Sequence, residues 1–248
     1  MNQMPYSAQP PPRTAQSHDG EFEFWRNHAQ ISLQPVAAPS ILGLFGFAAA
    51  TFVVATNLAG WYGDATTPNF LFPFAAFTGG LAQFLAGMWA YRARDGLATA
   101  MHGIWGAFWL SYGVLFLLVA TGVLTPVQPF VALGFWFVAL AAITWSGALA
   151  ALGENLGVSA VLATLAAGAT CQAIGRIADI SWIATLGAWF FIVSSLIAWY
   201  VATAMMLEGS FRRVILPMGK IRGANVPGRE PRQVIQFTAG EPGVKVGQ

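Results

Sequence analysis

The feature that most constrains this chain is the near absence of charged side chains over a long central stretch. Residues 40–207 hold seven charged side chains in 168 positions, whereas the other 80 positions of the 248-residue chain hold fifteen. Soluble domains carry about a quarter charged residues, and a surface with so few would expose apolar patches larger than water tolerates. The chain is therefore predicted to be an all-α integral membrane protein, covered by lipid along its centre.

Six stretches are long and apolar enough to cross the hydrocarbon as helices, since one crossing takes about 20 apolar residues. Turn residues separate these stretches, which run over residues 40–60, 71–91, 97–123, 128–152, 157–177 and 183–207. The predicted fold is a bundle of six transmembrane helices that occupies residues 39–207. A disordered arm (residues 1–38) precedes it, and a basic tail (residues 208–248) follows it.

Basic side chains are distributed unequally between the two predicted faces of the membrane. With six spans both termini lie on one side, where the adjacent segments contribute seven Lys and Arg residues against Arg176 alone on the other side. Positively charged segments stay in the cytoplasm. Both termini are therefore predicted to be cytoplasmic, with the protein in the plasma membrane, or in the inner membrane of a bacterium.

Few side chains in the predicted spans could perform acid–base or nucleophilic chemistry. The ionisable side chain clearly inside a span is His102. It is either a proton-accepting residue on a pathway or a neutral histidine near the membrane surface, and the sequence favours the second interpretation. Cys171 is the single cysteine and has no companions for a metal site. Neither an enzyme nor a metal, a cofactor or a nucleic-acid partner is expected.

Four short motifs occur in an order that resembles one family of transporters. They read LGLFGF (residues 42–47), GGLAQFLAG (79–87), GAFWL (106–110) and RVILPMG (213–219). Together they resemble the acetate uptake transporter family over about residues 38–220. The resemblance implies a six-helix protomer, usually assembled as a homohexamer, with a path for acetate in each protomer.

The resemblance also implies which side chains narrow that path. Family members use an apolar triad of Phe, Tyr and Leu, which falls on Phe47, Trp105 and Leu165 of this chain. Trp105 is a departure from the family Tyr, and its indole N–H, which can only donate, is expected to face a passing carboxylate. Arg176 is a second departure, at a position where the family usually has Asn.

Three polar side chains are candidates for contacts along the same path. Gln83, Asn57 and Thr51 all lie within predicted spans. A buried amide or hydroxyl needs a partner, because leaving it unsatisfied costs about 1–3 kcal/mol. Each of them therefore either meets a carboxylate on the path or forms a structural hydrogen bond within the bundle.

The predicted function is passage of acetate, and of other short monocarboxylates or succinate, through an apolar constriction. The protein acts either as a channel or with a co-transported proton. Because the spans lack Asp and Glu relays, such a proton is expected to travel with the substrate as acetic acid or to arrive through water. Two alternatives remain open: a channel for ammonium or small neutral solutes, and a non-transporting protein that senses acetate or scaffolds partners.

The predicted orientation can be tested with a reporter fused after Gln248, which is expected to remain cytoplasmic because of the basic asymmetry. In a Cys171→Ser background, a cysteine placed in the tail should react with an impermeant thiol reagent only after the membrane is permeabilised. Efficient labelling on intact cells would contradict the orientation.

Overall fold

The computed structural model describes residues 36–126 and 130–220, and within these ranges six helices are long and apolar enough to cross a membrane. They are α1 (Ser40–Leu58), α2 (Pro68–Ala93), α3 (Gly96–Ala120), α4 (Val131–Ala151), α5 (Leu156–Ile177) and α6 (Ser181–Phe211). The predicted all-α six-helix fold is confirmed, with helix ends that differ by a few residues. Residues 1–35 of the predicted N-terminal arm and residues 221–248 of the predicted tail lie outside the described residues.

The helices expose large apolar side chains where a soluble protein would expose charge. Leu149, Trp182 and Leu196 are 68%, 66% and 51% exposed. Apolar surface on this scale is stable only when it is covered by lipid or by another protein surface. The chain is therefore a multi-pass membrane protein.

Close contact between helices depends on glycine. The most extensive contacts join α4 to α5, α5 to α6, α6 to α1 and α2 to α3. A Cβ atom at Gly106 of α3 would lie 2.6 Å from the backbone nitrogen of Phe84 in α2. One at Gly46 of α1 would lie 2.5 Å from the carbonyl oxygen of Thr78. Helices in lipid gain no hydrophobic free energy when they associate. Van der Waals contact between closely spaced backbones therefore stabilises the bundle.

Helix α2 is irregular in its first half. Pro73 lies inside it, and residues Ala75–Leu81 form a wider π-helical segment. A proline removes one backbone donor, and π turns accommodate such interruptions within a longer helix. The segment brings Gly79 against Trp109 of α3, since a Cβ atom at Gly79 would lie 2.8 Å from Cγ of that indole.

After α6 the chain folds back towards the start of α5. Arg212 adopts a left-handed conformation (φ 55°) at the end of α6. The Leu156 N–H then donates to the carbonyl oxygen of Gly219 at 3.0 Å. Lys220 Nζ forms an ion pair with a Glu208 carboxylate oxygen at 2.7 Å. The first residues of the predicted tail therefore pack against the helices.

Gly106→Ala is expected to destabilise the bundle, whereas Gly103→Ala is a matched control in the same helix. A Cβ atom at Gly103 meets nothing within 4 Å, so both variants share the gain in helix propensity and differ only in the clash with Phe84. In Gly106→Ala the extra methyl group should reduce the free energy of unfolding by about 1–3 kcal/mol. The melting temperature in detergent should then fall by roughly 2–10 °C. Equal melting temperatures for the two variants would contradict a tight α2–α3 contact.

Candidate functional site

Two cavities lie inside the bundle, towards opposite ends of the helices. The large cavity, about 590 Å³, extends from Asn57 and the α1–α2 loop inwards to Trp105 and Leu165. The small cavity, about 70 Å³, lies where α1, α3 and α5 begin and reaches inwards to Leu44 and His102.

A thin layer of side chains separates the two cavities. On α3, His102 lines the small cavity and Trp105 the large one; on α5, Leu162 and Leu165 are divided in the same way. Three residues correspond to about 4.5 Å of helical rise. Phe47 of α1 contacts the Trp105 ring at the same level, with centroids 6.5 Å apart. The three residues that the family resemblance assigned to a constriction therefore lie near this layer, and their role as a constriction stays a prediction.

Trp105 is the centre of this layer. Its indole is 3% exposed and packs edge-on, with centroid distances of 5.4–6.5 Å, against three rings: Phe47, Phe108 and Phe191. Its Nε1 donates to Oγ1 of Thr144 in α4 at 3.1 Å. The structure thus differs from the expectation that this donor faces a passing carboxylate, because Thr144 already accepts it.

Two of the three polar candidates line the large cavity. Thr51 lines it with a hydroxyl oxygen that is buried and has no hydrogen-bond partner. Asn57 also lines it and donates from Nδ2 to the carbonyl oxygen of Tyr62 at 2.8 Å. Gln83 is 1% exposed, lines neither of these two cavities and donates to the carbonyl oxygen of Gly79 in its own helix at 2.9 Å. Its visible role is structural.

His102 is buried within the protein and lines the small cavity. Its ring packs over Gly43 of α1, where a Cβ atom would lie 2.5 Å from the imidazole. Asp95, Glu154 and Lys220 line the same cavity. A glycine in α1 therefore makes room for this imidazole beside the charged side chains of the small cavity. The two interpretations of His102, a proton-accepting residue and a neutral histidine, both stay predictions.

Arg176 lines the large cavity, and sequence analysis gave it no role. Its Nε donates to Oε1 of Gln172 at 3.0 Å, and its guanidinium carbon lies 5.9 Å from the ring centroid of Phe137. One feature of the sequence could have indicated a role for Arg176: it is the single basic residue assigned to its face of the membrane. Sequence alone could not show that the side chain turns towards a cavity.

Asp64 lies in the α1–α2 loop and also lines the large cavity. Its Oδ1 accepts hydrogen bonds from the Thr66 hydroxyl at 2.6 Å and from the Thr66 N–H at 2.8 Å. These hydrogen bonds favour the charged form and hold the pKa of Asp64 below its ordinary value. The carboxylate is therefore ionised at neutral pH and engaged within its own loop.

Thr144→Val should leave the Trp105 N–H buried without an acceptor, at a cost of about 1–3 kcal/mol. Thr144→Ser is the matched control, because it retains an oxygen that can accept this N–H and donate to the Leu140 carbonyl, as Thr144 does at 2.6 Å. We expect the valine variant to melt below the serine variant in detergent. A valine variant as stable as the serine variant would contradict a structural role for this hydrogen bond.

Comparisons with known proteins identify the family. Residues 21–221 match the GPR1/FUN34/yaaH family. "Ammonia transport outward protein 2" of Saccharomyces cerevisiae is 36% identical over 36% of this chain and 31% of its own length. "Acetate permease A" of Emericella nidulans is 32% identical over 36% of this chain and 29% of its own length. The matched segments thus span under a third of these two relatives.

A bacterial relative aligns over most of its length. The "Succinate-acetate/proton symporter SatP" of Escherichia coli K12 is 27% identical over 75% of this chain and 96% of its own length. The solved "Structure of the bacterial acetate channel SatP" superposes with a TM-score of 0.68 at 25% identity, over 74% of this chain and 99% of that one. The resemblance predicted from the motifs is confirmed, and the chain belongs to the GPR1/FUN34/yaaH family.

Proposed function

We propose that this protein passes acetate and other short monocarboxylates across the plasma membrane. The path runs through the large cavity, the layer of Phe47, Trp105 and Leu165, and the small cavity. The observation that carries the proposal is that two cavities approach one another from opposite ends of a single chain, with one layer of side chains between them. Relatives named as an acetate permease and a succinate-acetate symporter, and a solved acetate channel, support this substrate class.

The chemistry of the layer suits a small carboxylic acid. Its three side chains present apolar surface, because Trp105 has committed its N–H to Thr144. Hydrated metal ions lose too much hydration at an apolar constriction, whereas the methyl group of acetate gains from contact with it. Moving a lone anion inwards against 100 mV costs about 2.3 kcal/mol, and a proton carried with it removes that cost.

The family resemblance, and not the geometry of this chain, supports the proposals on proton coupling and on assembly. A channel and a proton symporter both fit the path, and a proton would travel as acetic acid or through water. A homo-oligomer, and a hexamer in particular, is proposed. By the same resemblance, each copy would carry its own path.

An ammonium channel is the second candidate, supported by a relative named for ammonia transport. The charge of Arg176 at the large cavity opposes it, because a fixed cation lowers the local concentration of ammonium and raises that of anions. A non-transporting sensor would keep the carboxylate site without flux. No relative cited here is named as an enzyme, which agrees with the sequence prediction.

Uptake of labelled acetate into proteoliposomes tests the proposal. Saturable uptake is expected, with competition by short monocarboxylates. Trp105→Ala should join the two cavities, raise flux and reduce the discrimination between acetate and succinate. Trp199→Ala is the matched control, because Trp199 is 54% exposed on α6.

Each contrary outcome has a defined meaning. Absence of acetate uptake by folded wild-type protein would contradict the proposal and leave a sensor or scaffold. Ammonia flux without acetate flux would select the ammonium channel. An unchanged succinate-to-acetate ratio in Trp105→Ala, normalised to folded protein, would remove Trp105 from the constriction.

A further inference from the structure

Arg176 is held in place by contacts that join three helices. Gln172, one turn earlier in α5 and 1% exposed, donates from Nε2 to the carbonyl oxygen of Ala184 in α6 at 2.7 Å. Its Oε1 accepts from Arg176 Nε at 3.0 Å. The guanidinium then lies over Phe137 of α4, 5.9 Å from the ring centroid. Both polar ends of a buried glutamine side chain thus serve to position this cation at the large cavity.

The cation has no anionic partner within residues 36–126 and 130–220. One ion pair in these ranges joins Lys220 to Glu208, at the opposite end of the helices. Asp64 also lines the large cavity, but its Oδ1 accepts from Thr66. Arg176 is half-buried beside aromatic walls, and a positive charge in such surroundings is stabilised when an opposite charge compensates it. The arrangement therefore suits an anionic ligand.

The wall around Arg176 determines what kind of anion fits. Aromatic side chains from three helices line the cavity, among them Phe108, Phe137 and Phe191. Two buried donors of the same wall, the Thr51 hydroxyl and the Trp109 N–H, have no hydrogen-bond partner. A positive charge, spare donors and apolar rings together match a carboxylate with a small apolar body. A second carboxylate on the same ligand would face the rings.

We propose that Arg176 forms a binding subsite that captures the substrate as the carboxylate anion before it reaches Trp105. Its Nε is engaged by Gln172, which leaves the two terminal nitrogens of the planar guanidinium to donate to two carboxylate oxygens. The proposal rests on the proposed function, and adds the ionisation state of the captured acid and the residue that selects it.

The unmodified protein can report which form of the acid it binds. Purified protein in detergent is titrated with sodium acetate at pH 6, 7 and 8 and constant ionic strength, and Kd is taken from the rise in melting temperature. Acetic acid titrates much as a glutamate side chain does, near pH 4.3, so from pH 6 to 8 the neutral form falls about 100-fold while the anion stays nearly constant. If the protein captures the anion, the Kd for total acetate should stay constant within about threefold from pH 6 to 8, because the anion concentration hardly changes.

Two titratable side chains share the large cavity with Arg176, whereas His102 lines the small cavity on the other side of Trp105. They are Asp64 and Tyr112. Carboxylic acids and phenols ordinarily titrate outside pH 6–8. A Kd that rises about 100-fold from pH 6 to 8 would mean that the neutral acid is bound, and would overturn the proposal.

Three variants test the residue itself. Arg176→Gln should raise the Kd for acetate at least about tenfold, as expected when a charge-assisted pair is lost. Arg176→Lys retains the charge and should stay closer to wild type. Arg92→Gln is the control, because it removes an exposed positive charge outside both cavities. Acetamide, the neutral analogue of acetate, should bind weakly and equally to all four proteins.

The outcomes separate this proposal from the function on which it rests. An Arg176→Gln protein that binds acetate as wild type does overturns the subsite but leaves acetate transport standing. Wild-type protein that binds acetate yet gives no uptake in liposomes contradicts transport and retains the subsite. If Arg176→Gln does not fold, the pH series on wild-type protein still decides between anion and neutral acid.

Discussion

The hydrogen bond from Trp105 to Thr144 is the interaction on which the centre of this protein depends. It joins α3 to α4, two helices that otherwise share few contacts. Because an indole is large and planar, this bond fixes which edge of the ring meets Phe47 and Phe191. Both cavities end at this ring or one helical turn from it. One buried hydrogen bond therefore holds the ring that lies between the two cavities, where the proposed path would be narrowest.

Glycines make room for the rings that line the two cavities. Gly43 makes room for the imidazole of His102, and Gly79 makes room for the indole of Trp109. Gly46 and Gly106 instead bring helix backbones close together. The glycine motifs that identified the family are thus packing motifs. Their glycines let helix backbones approach and leave room for aromatic side chains.

Hydropathy predicted six spans, and the resemblance placed Phe47, Trp105 and Leu165 together at a constriction. Both predictions depend only on the order and spacing of residues along the chain. The direction of the Trp105 N–H was not predictable, since its acceptor Thr144 lies 39 residues away on another helix. The sequence placed Arg176 correctly at the end of a span. The direction of its side chain towards the large cavity depends on contacts with Gln172 and Phe137. Such orientations depend on tertiary contacts that local sequence does not contain.

Crossing at the level of Leu165 can be measured directly by chemical modification. Leu165→Cys in a Cys171→Ser background places one thiol at the inner end of the large cavity, where a small anionic methanethiosulfonate reagent can enter. Modification is predicted to block acetate uptake, and excess acetate is predicted to slow the modification. Val123→Cys, at an exposed position outside the cavities, should be modified without loss of uptake. Full modification at residue 165 with normal uptake would contradict a path through this layer.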